Sequence, residues 1–141
     1  MTFAEQHDSM VELADAIITA ARESDRGITE VLALRFRLSK EIRKHVDEET
    51  ALIRSRREGS GTVSAAQDTL ISKYHDELLL WRQQLADCNV AWTPKRIAKD
   101  PSGFVAEFQP LRDALRQRVQ WEEQVFYPRV LTTAELSRLA A

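Results

Sequence analysis

The chain contains three histidines, and each lies on the apolar stripe of a different predicted helix. They are His7, His45 and His75, and the carboxylates Glu49 and Glu122 lie on stripes of the same kind. Because residues four apart on a helix point the same way, His45 and Glu49 can offer a nitrogen and an oxygen to one ion. Imidazole and carboxylate ligands without thiolate suit iron, manganese or zinc. The sequence therefore predicts a metal site inside a helical protein.

A second polar pair lies at the same depth as the first. His45 and Glu49 belong to the second predicted helix, and Arg118 and Glu122 have the same spacing to their apolar neighbours in the fourth. Burying bare carboxylates costs several kcal/mol unless a positive charge compensates them. A metal ion or Arg118 can supply that charge. The polar layer is thus either a metal site or a network built from protein side chains alone.

Four helical segments must position these residues. Glycine and proline are gathered in a few places, and between them apolar residues recur at intervals of three and four. The first two segments span about residues 4–23 and 29–57. The third begins near Ser64, which fits a capping box with Gln67, and the fourth begins near Ser102. Pro110 falls early in the fourth segment, so the regular helix is expected to begin near it or to be kinked there.

The segment pattern predicts an all-α fold. β-branched residues never alternate along the chain, so no sheet is expected. Four amphipathic helices with short or moderate loops predict one domain over residues 1–141, an up-down-up-down antiparallel four-helix bundle. The sequence AELSRLAA, residues 134–141, could add a short cap helix. The stretch WTPKRIAKDPSGF, residues 92–104, is expected to be an irregular loop over the end of the bundle.

Composition excludes several classes of function. Twenty basic and twenty-two acidic residues leave a net charge of -2, without the basic face that nucleic acid requires. No apolar run approaches the ~20 residues of a membrane span, and the first ten residues do not have the pattern of a secretory signal. The one cysteine, Cys88, excludes an intrachain disulfide and a thiolate metal cluster. A reducing, cytoplasmic location is expected.

The four polar segments together resemble the hemerythrin-like, HHE cation-binding family over nearly the whole chain. EQHDSMVELADAI resembles the first-helix segment and contains His7, and LSKEIRKHVDEETALI resembles the second, with His45 and Glu49. KYHDELLLW resembles the third-helix segment and contains His75. LRQRVQWEEQVFYP resembles the fourth, with Glu122 and an aromatic-proline ending. No single motif is specific, but the order and spacing of all four support the resemblance.

The resemblance implies non-haem iron and a small gaseous ligand. Family members hold two irons, bridged by two carboxylates, with five histidines as the usual set, and they bind O2 or sense O2, NO, redox state or iron. Here Arg118 stands where the fourth-helix histidine is usual, and His75 is alone in its helix. Arginine cannot donate a lone pair, and its charge repels a second cation. A normal di-iron centre is therefore not expected.

Two outcomes remain open for the chain. In the first, a single metal ion is bound by His7, His45 and Glu49, and Glu122 or His75 completes the shell; iron is favoured, with zinc or manganese as alternatives. Sensing or ligand binding is then preferred to turnover, and an enzyme such as a peroxide-consuming di-iron protein ranks third, because Arg118 disfavours the second metal that it would need.

In the second outcome no metal is bound. Arg118 replaces the ion by pairing Glu122 and Glu49 through charge-assisted hydrogen bonds. The protein is then a helical interaction or regulatory module whose partner the sequence does not identify. In either case Tyr74 and Tyr127 flank the candidate ligands, as outer hydrogen-bond donors or as packing residues.

Overall fold

The computed structural model describes residues 2–23, 27–59, 63–132 and 134–136, and nearly all of them are helical. In chain order the elements are α1 (Phe3–Arg22), α2 (Gly27–Glu58), α3 (Ala65–Ala91), α4 (Pro94–Lys99) and α5 (Pro101–Trp121), then a π-helical turn (Glu122–Phe126) and α6 (Tyr127–Val130). The described residues form no β-strand. The expectation of an all-α protein is therefore confirmed.

The core lies along α1, which packs against both α2 and α5. The predicted α1 stripe is buried as expected, and its members are Met10, Ala14, Ile17 and Ala21. From α2, Leu38 and Ile42 face the same interior. The third long helix, α3, contacts α5 and α6. Apolar burial along these faces is the main favourable term that holds the helices together.

Capping boxes define where two of the long helices begin. The Thr2 hydroxyl accepts a hydrogen bond from the Glu5 N–H, and the Glu5 carboxylate accepts one from the Thr2 N–H. Ser64 and Gln67 form the same reciprocal pair at the start of α3, as predicted. Each box satisfies two backbone donors that would otherwise lack partners. The first capping box fixes the start of α1, about one helical turn before His7.

Burial along α3 contradicts one expectation. The buried residues of this helix recur at strict intervals of three and four, and they are Ile71, Tyr74, Leu78, Trp81, Leu85 and Cys88. His75 is exposed. One residue on from Tyr74 is about 100° further around the helix, which is enough to turn a side chain out of a narrow buried stripe. The prediction that His75 faces the interior is wrong.

The fourth long helix is not interrupted by its internal proline. Helix α5 begins at Pro101, behind the Asp100 carboxylate that accepts a hydrogen bond from the Gly103 N–H at 3.0 Å. It continues through Pro110, so the helix does not begin there. The proline lies on the exposed side, where the carbonyl that lacks an N–H partner is open to water.

Residues 92–104 are more ordered than a loop. They contain the whole of α4 and the start of α5, and Thr93 caps α4 by accepting from the Arg96 N–H. Trp92 and Phe104 pack edge to face and are buried. The expectation of an irregular stretch is therefore wrong, because buried apolar side chains and two N-terminal caps hold this segment in helical turns.

No helix of the described residues is both long enough and apolar enough to cross a membrane.

The predicted C-terminal helix is only partly within the described residues. Residues 134–136 are helical, and Thr132 and Glu135 exchange capping hydrogen bonds at its start. Residues 137–141 lie outside the described part of the chain.

Candidate metal centre

Four of the predicted ligands converge in the core. His7 from α1, His45 and Glu49 from α2, and Glu122 after α5 each offer one donor atom, and these atoms all lie within 4.8 Å of one another. The four residues are 1 to 4% exposed. Within the described chain they form the one group of three or more such side chains that could hold a metal ion. Residues from three separate helices thus meet at one point.

Both imidazole rings turn the same nitrogen towards that point. The Nδ1 atom of His7 lies 3.1 Å from a carboxylate oxygen of Glu123. The Nδ1 atom of His45 lies 2.6 Å from the amide oxygen of Gln6, whose nitrogen donates to Glu48 at 2.7 Å. Oxygen acceptors at Nδ1 require the ring proton there, which leaves the Nε2 lone pair of each ring facing inward. Metal-binding histidines are commonly held in this way.

The inward atoms are close enough to share one ion. The two Nε2 atoms of His7 and His45 are 3.0 Å apart. Nε2 of His45 is 3.2 Å from Glu49 Oε2 and 4.0 Å from Glu122 Oε1, whereas Nε2 of His7 is 3.4 Å from Glu122 Oε1. Two facing lone pairs repel, so a proton or a metal ion must lie between them.

A π-helical turn sets the direction of the last ligand. At residues Glu122–Phe126 the backbone widens, and the Tyr127 N–H bonds to the Glu122 carbonyl five residues back. On a regular helix these two side chains would point about 140° apart. The turn instead brings the Tyr127 hydroxyl to 3.0 Å from Glu122 Oε1 and 3.3 Å from His7 Nε2. Such turns occur frequently at functional sites.

Two tyrosines hold Glu49. The Tyr74 hydroxyl donates to Oε1 of Glu49, and the Tyr127 hydroxyl donates to Oε2. Both tyrosines are buried. Both candidate hydrogen-bond donors from the sequence therefore contact a candidate ligand.

Arg118 lies beside the cluster, in contact with Glu122. Its Nε atom is 2.9 Å from Glu122 Oε2, although the N–H is not aligned with that oxygen and Nε makes no hydrogen bond. One terminal nitrogen donates to the Tyr74 carbonyl at 3.0 Å. Arg118 thus pairs with Glu122 by charge. The metal-free alternative expects Arg118 to pair with Glu49 as well. None of the Arg118 contacts within the described residues reaches Glu49.

Burial and mutual contact shift the protonation of the cluster. Burial raises the pKa of Glu49, and the charge of Glu122 adds to that shift. Burial alone would raise the pKa of Glu122, but interactions with His45 and His7 and the Arg118 charge hold it well below its usual range. Burial opposes a charged His45, yet the carboxylates of Glu122 and Glu49 raise its pKa to about 9.

The tyrosines stay protonated while no ion is present. Burial, followed by the charge of Glu49, raises the pKa of Tyr74 and of Tyr127 far above the ordinary value. At neutral pH the metal-free cluster therefore holds a proton on His45, a negative Glu122 and two neutral phenols. The negative charge of Glu122 and the positive charge of protonated His45 compensate each other, as buried charges must.

A small cavity adjoins the four ligands. Its volume is about 20 Å³, which is enough for one water-sized molecule. Apolar side chains form most of its wall, namely Met10, Ile42, Val46, Leu78, Trp81, Leu115 and Val119. Arg118 and the four ligands complete it. A small apolar ligand could lie here in contact with a bound ion.

The structure thus brings together His7, His45, Glu49 and Glu122 and leaves His75 outside. The sequence interpretation missed the two residues that orient the rings, Gln6 and Glu123. Gln6 had a signal, because it follows Phe3 and precedes Met10 and Leu13 at the intervals of the buried stripe. Glu123 is on the exposed side and had none.

No protein-family model matches this chain. No curated protein and no solved structure matches it. The function must therefore be inferred from the arrangement of the site.

Proposed function

We propose that this protein is a hemerythrin-like metal-binding protein that holds one non-haem iron ion and uses it to bind or sense O2, NO or redox state. The observation that carries the proposal is the 3.0 Å separation of the two Nε2 atoms, with both Nδ1 atoms held by acceptors. Such a pair needs a proton or a metal ion between its lone pairs, and the carboxylates of Glu49 and Glu122, which surround the same point, supply the further donors that a metal ion requires.

Iron is favoured over other metals by the donor set. Two imidazoles and one carboxylate are a common ligand set of non-haem iron(II), and they leave positions open for a small ligand. The cavity of about 20 Å³ next to the ligands supports such a ligand, because its wall is mostly apolar. Zinc and manganese accept similar donors and are the competing occupants.

A single ion is favoured by Arg118. Its guanidinium contacts Glu122 at 2.9 Å, where a second cation would have to lie. The third-helix histidine that could serve a second ion, His75, is exposed. Like charges a few ångströms apart in a poorly solvated core repel by several kcal/mol.

The helix order fits the proposed family. We assign the four long helices to an up-down-up-down bundle, because α1 packs against α2 and α5 while α3 packs against α5. Facing helices of such bundles are where side chains converge on metals. The cytoplasm is the proposed location, because a reducing compartment keeps ferrous iron available.

The second candidate is a metal-free interaction module. The contact of Arg118 with Glu122 favours it, as do the two tyrosine hydroxyls that donate to Glu49. These contacts compensate both carboxylates without an ion. In this candidate a proton lies between the two imidazoles, and the raised pKa of His45, about 9, retains it at neutral pH.

Metal analysis separates the two candidates. The protein is purified anaerobically from iron-replete cells, reconstituted with ferrous iron and desalted, and bound metals are quantified by mass spectrometry. About one iron per chain is the expected result. Less than roughly a tenth of an equivalent of any transition metal after reconstitution would overturn the proposal and favour the metal-free module. One equivalent of zinc after competition with iron would overturn the choice of metal.

A further inference from the structure

The Tyr127 hydroxyl lies within the ring of donor atoms. It is 3.0 Å from Glu122 Oε1 and 3.3 Å from His7 Nε2, and it donates to Glu49 Oε2. It thus contacts donor groups of three of the four candidate ligands. A residue that only supports a ligand from outside contacts the side of that ligand which faces away from the ion.

The separations between donor atoms fit one shared ion. With bonds of about 2.1 Å, octahedral donors lie about 3.0 Å apart when adjacent and about 4.2 Å apart when opposite. Around one ion, His7 and His45 at 3.0 Å would be adjacent donors, and His45 and Glu122 at 4.0 Å would be opposite donors. The contacts of Tyr127 at 3.0 and 3.3 Å belong to the adjacent class. The hydrogen bond from Tyr127 to Glu49 Oε2 is shorter than this class, as befits a protonated pair, and it would lengthen once the proton leaves. The Tyr127 oxygen would then take the place of a fifth donor.

Tyr74 makes a different kind of contact. Its hydroxyl donates to Glu49 Oε1, whereas Oε2 is the oxygen that lies 3.2 Å from His45. The Tyr74 ring stacks on Phe126 with centroids 4.7 Å apart. Tyr74 thus holds the outer oxygen of the carboxylate. Two tyrosines on one glutamate therefore have separate roles.

The backbone supports the placement of Tyr127. The π-helical turn is what brings residue 127 next to residue 122, since a regular helix would turn it about 140° away. The turn departs from regular helical hydrogen bonding, and it does so at a buried position beside the candidate ligands. This is the pattern expected when a side chain is needed at a site.

We propose that Tyr127 is a ligand of the iron and binds the ferric ion as a phenolate. This inference rests on the proposed function. On coordination the phenolic O–H bond breaks, an Fe–O bond forms and the proton leaves to solvent, with no electron transferred in the step. Together with ionised Glu49 and Glu122, the phenolate brings three negative charges to a trivalent ion. Tyr127 thereby selects for the ferric state.

The test uses visible absorption and resonance Raman spectra of iron-loaded protein. Ferrous iron is bound anaerobically, oxidised with one equivalent of ferricyanide and desalted, and bound iron is quantified. A ferric phenolate has a charge-transfer band in the visible region, and excitation into it enhances the ring vibrations of the bound tyrosine. The chain has only two tyrosines, so Tyr74→Phe leaves Tyr127 as the sole source of that signal.

The expected result is a band in the wild type and in Tyr74→Phe, and its loss in Tyr127→Phe. Ring-deuterated tyrosine in the Tyr74→Phe protein is expected to shift the enhanced vibrations, and this measurement stands if Tyr127→Phe does not fold. Bound ferric iron without phenolate vibrations, or with a band that survives Tyr127→Phe, would overturn this inference and leave the proposed function intact. Failure of the wild type to bind any iron would overturn both.

Discussion

The Nε2 atoms of His7 and His45 lie 3.0 Å apart in the core, and the opposite nitrogen of each ring is held by an acceptor. With protons on both Nδ1 atoms, the two lone pairs face each other. In the metal-free protein a proton separates them, and in the proposed iron-loaded protein an ion would replace that proton. Most of the expected behaviour of the site follows from this exchange.

The histidines can be tested one against another. His7→Ala and His45→Ala should each weaken iron binding by a hundredfold or more, since even residues that only orient a ligand contribute about 10- to 100-fold to affinity. His75→Ala is the matched control, because His75 is exposed and outside the cluster. Chelator competition measures the affinities. Equal losses in all three variants would show that the binding is not at the cluster.

The residues that orient the rings should matter without touching the ion. Gln6→Leu removes the acceptor 2.6 Å from His45 Nδ1, and Glu123→Ala removes the one 3.1 Å from His7 Nδ1. Each change should lower iron affinity by about 10- to 100-fold, because the ring is then free to rotate and to change tautomer. Glu12→Gln, at an exposed position of α1, is the control. Unaltered affinity in both variants would argue against the assigned tautomers.

Iron affinity should rise with pH. The pKa of His45 in the metal-free protein is about 9, so at neutral pH an entering ion must displace a proton. The apparent affinity for ferrous iron, whose binding displaces this one proton, should therefore increase about tenfold per pH unit between pH 6.5 and 8.5. Calorimetry in buffers of different ionisation enthalpy counts the released protons. An affinity that does not change with pH contradicts the proton between the rings.

Metal-free protein should show the opposite trend in stability. His45 has a pKa of about 9 when folded and about 6.5 when unfolded, so the folded state binds the proton more tightly. This stabilisation is fully present below pH 6.5 and is lost as the pH rises through 9, with a total of about 3 kcal/mol. Urea unfolding at several pH values measures it, and His45→Gln should flatten the curve. If the free energy of unfolding of the wild type rose between pH 6.5 and 9, the result would contradict this prediction.

Arg118 should have opposite effects on stability and on iron binding. Arg118→Gln removes the cation 2.9 Å from buried Glu122, so the metal-free protein should lose about 3 kcal/mol of unfolding free energy. The same change removes a charge that repels the ion, so iron affinity should rise about tenfold.

Arg116→Gln is the control for this pair of measurements, because the Arg116 side chain is half exposed and its ion pair with Asp15 is at the surface. Surface pairs contribute only about 0 to 1 kcal/mol. A loss of stability in Arg118→Gln without any iron binding would support the metal-free module.

The sequence by itself determined the helices and most of the site. Apolar residues at intervals of three and four indicated four long helices, because only a helix places such residues on one face. The same periodicity placed His7 on an inward stripe and matched the depth of His45 and Glu49 to that of Glu122, and the structure brings these four together. The local signals failed at Pro110, which the helix tolerates on its exposed side, and at residues 92–104, where burial and caps keep the chain helical.

Only the tertiary structure decided which side chains reach the centre. His75 is one residue beyond a buried position, and whether it turns inward depends on how α3 packs against its neighbours. Gln6 and Glu123 contact the two rings across helices, so spacing along one helix can place Gln6 on the buried stripe but reveals neither contact. Tyr127 reaches the donor atoms through a π-helical turn, which regular helical spacing does not describe. Periodicity specifies which residues share one face of a helix. A ligand set also depends on the distances between side chains on different helices, which only the tertiary structure fixes.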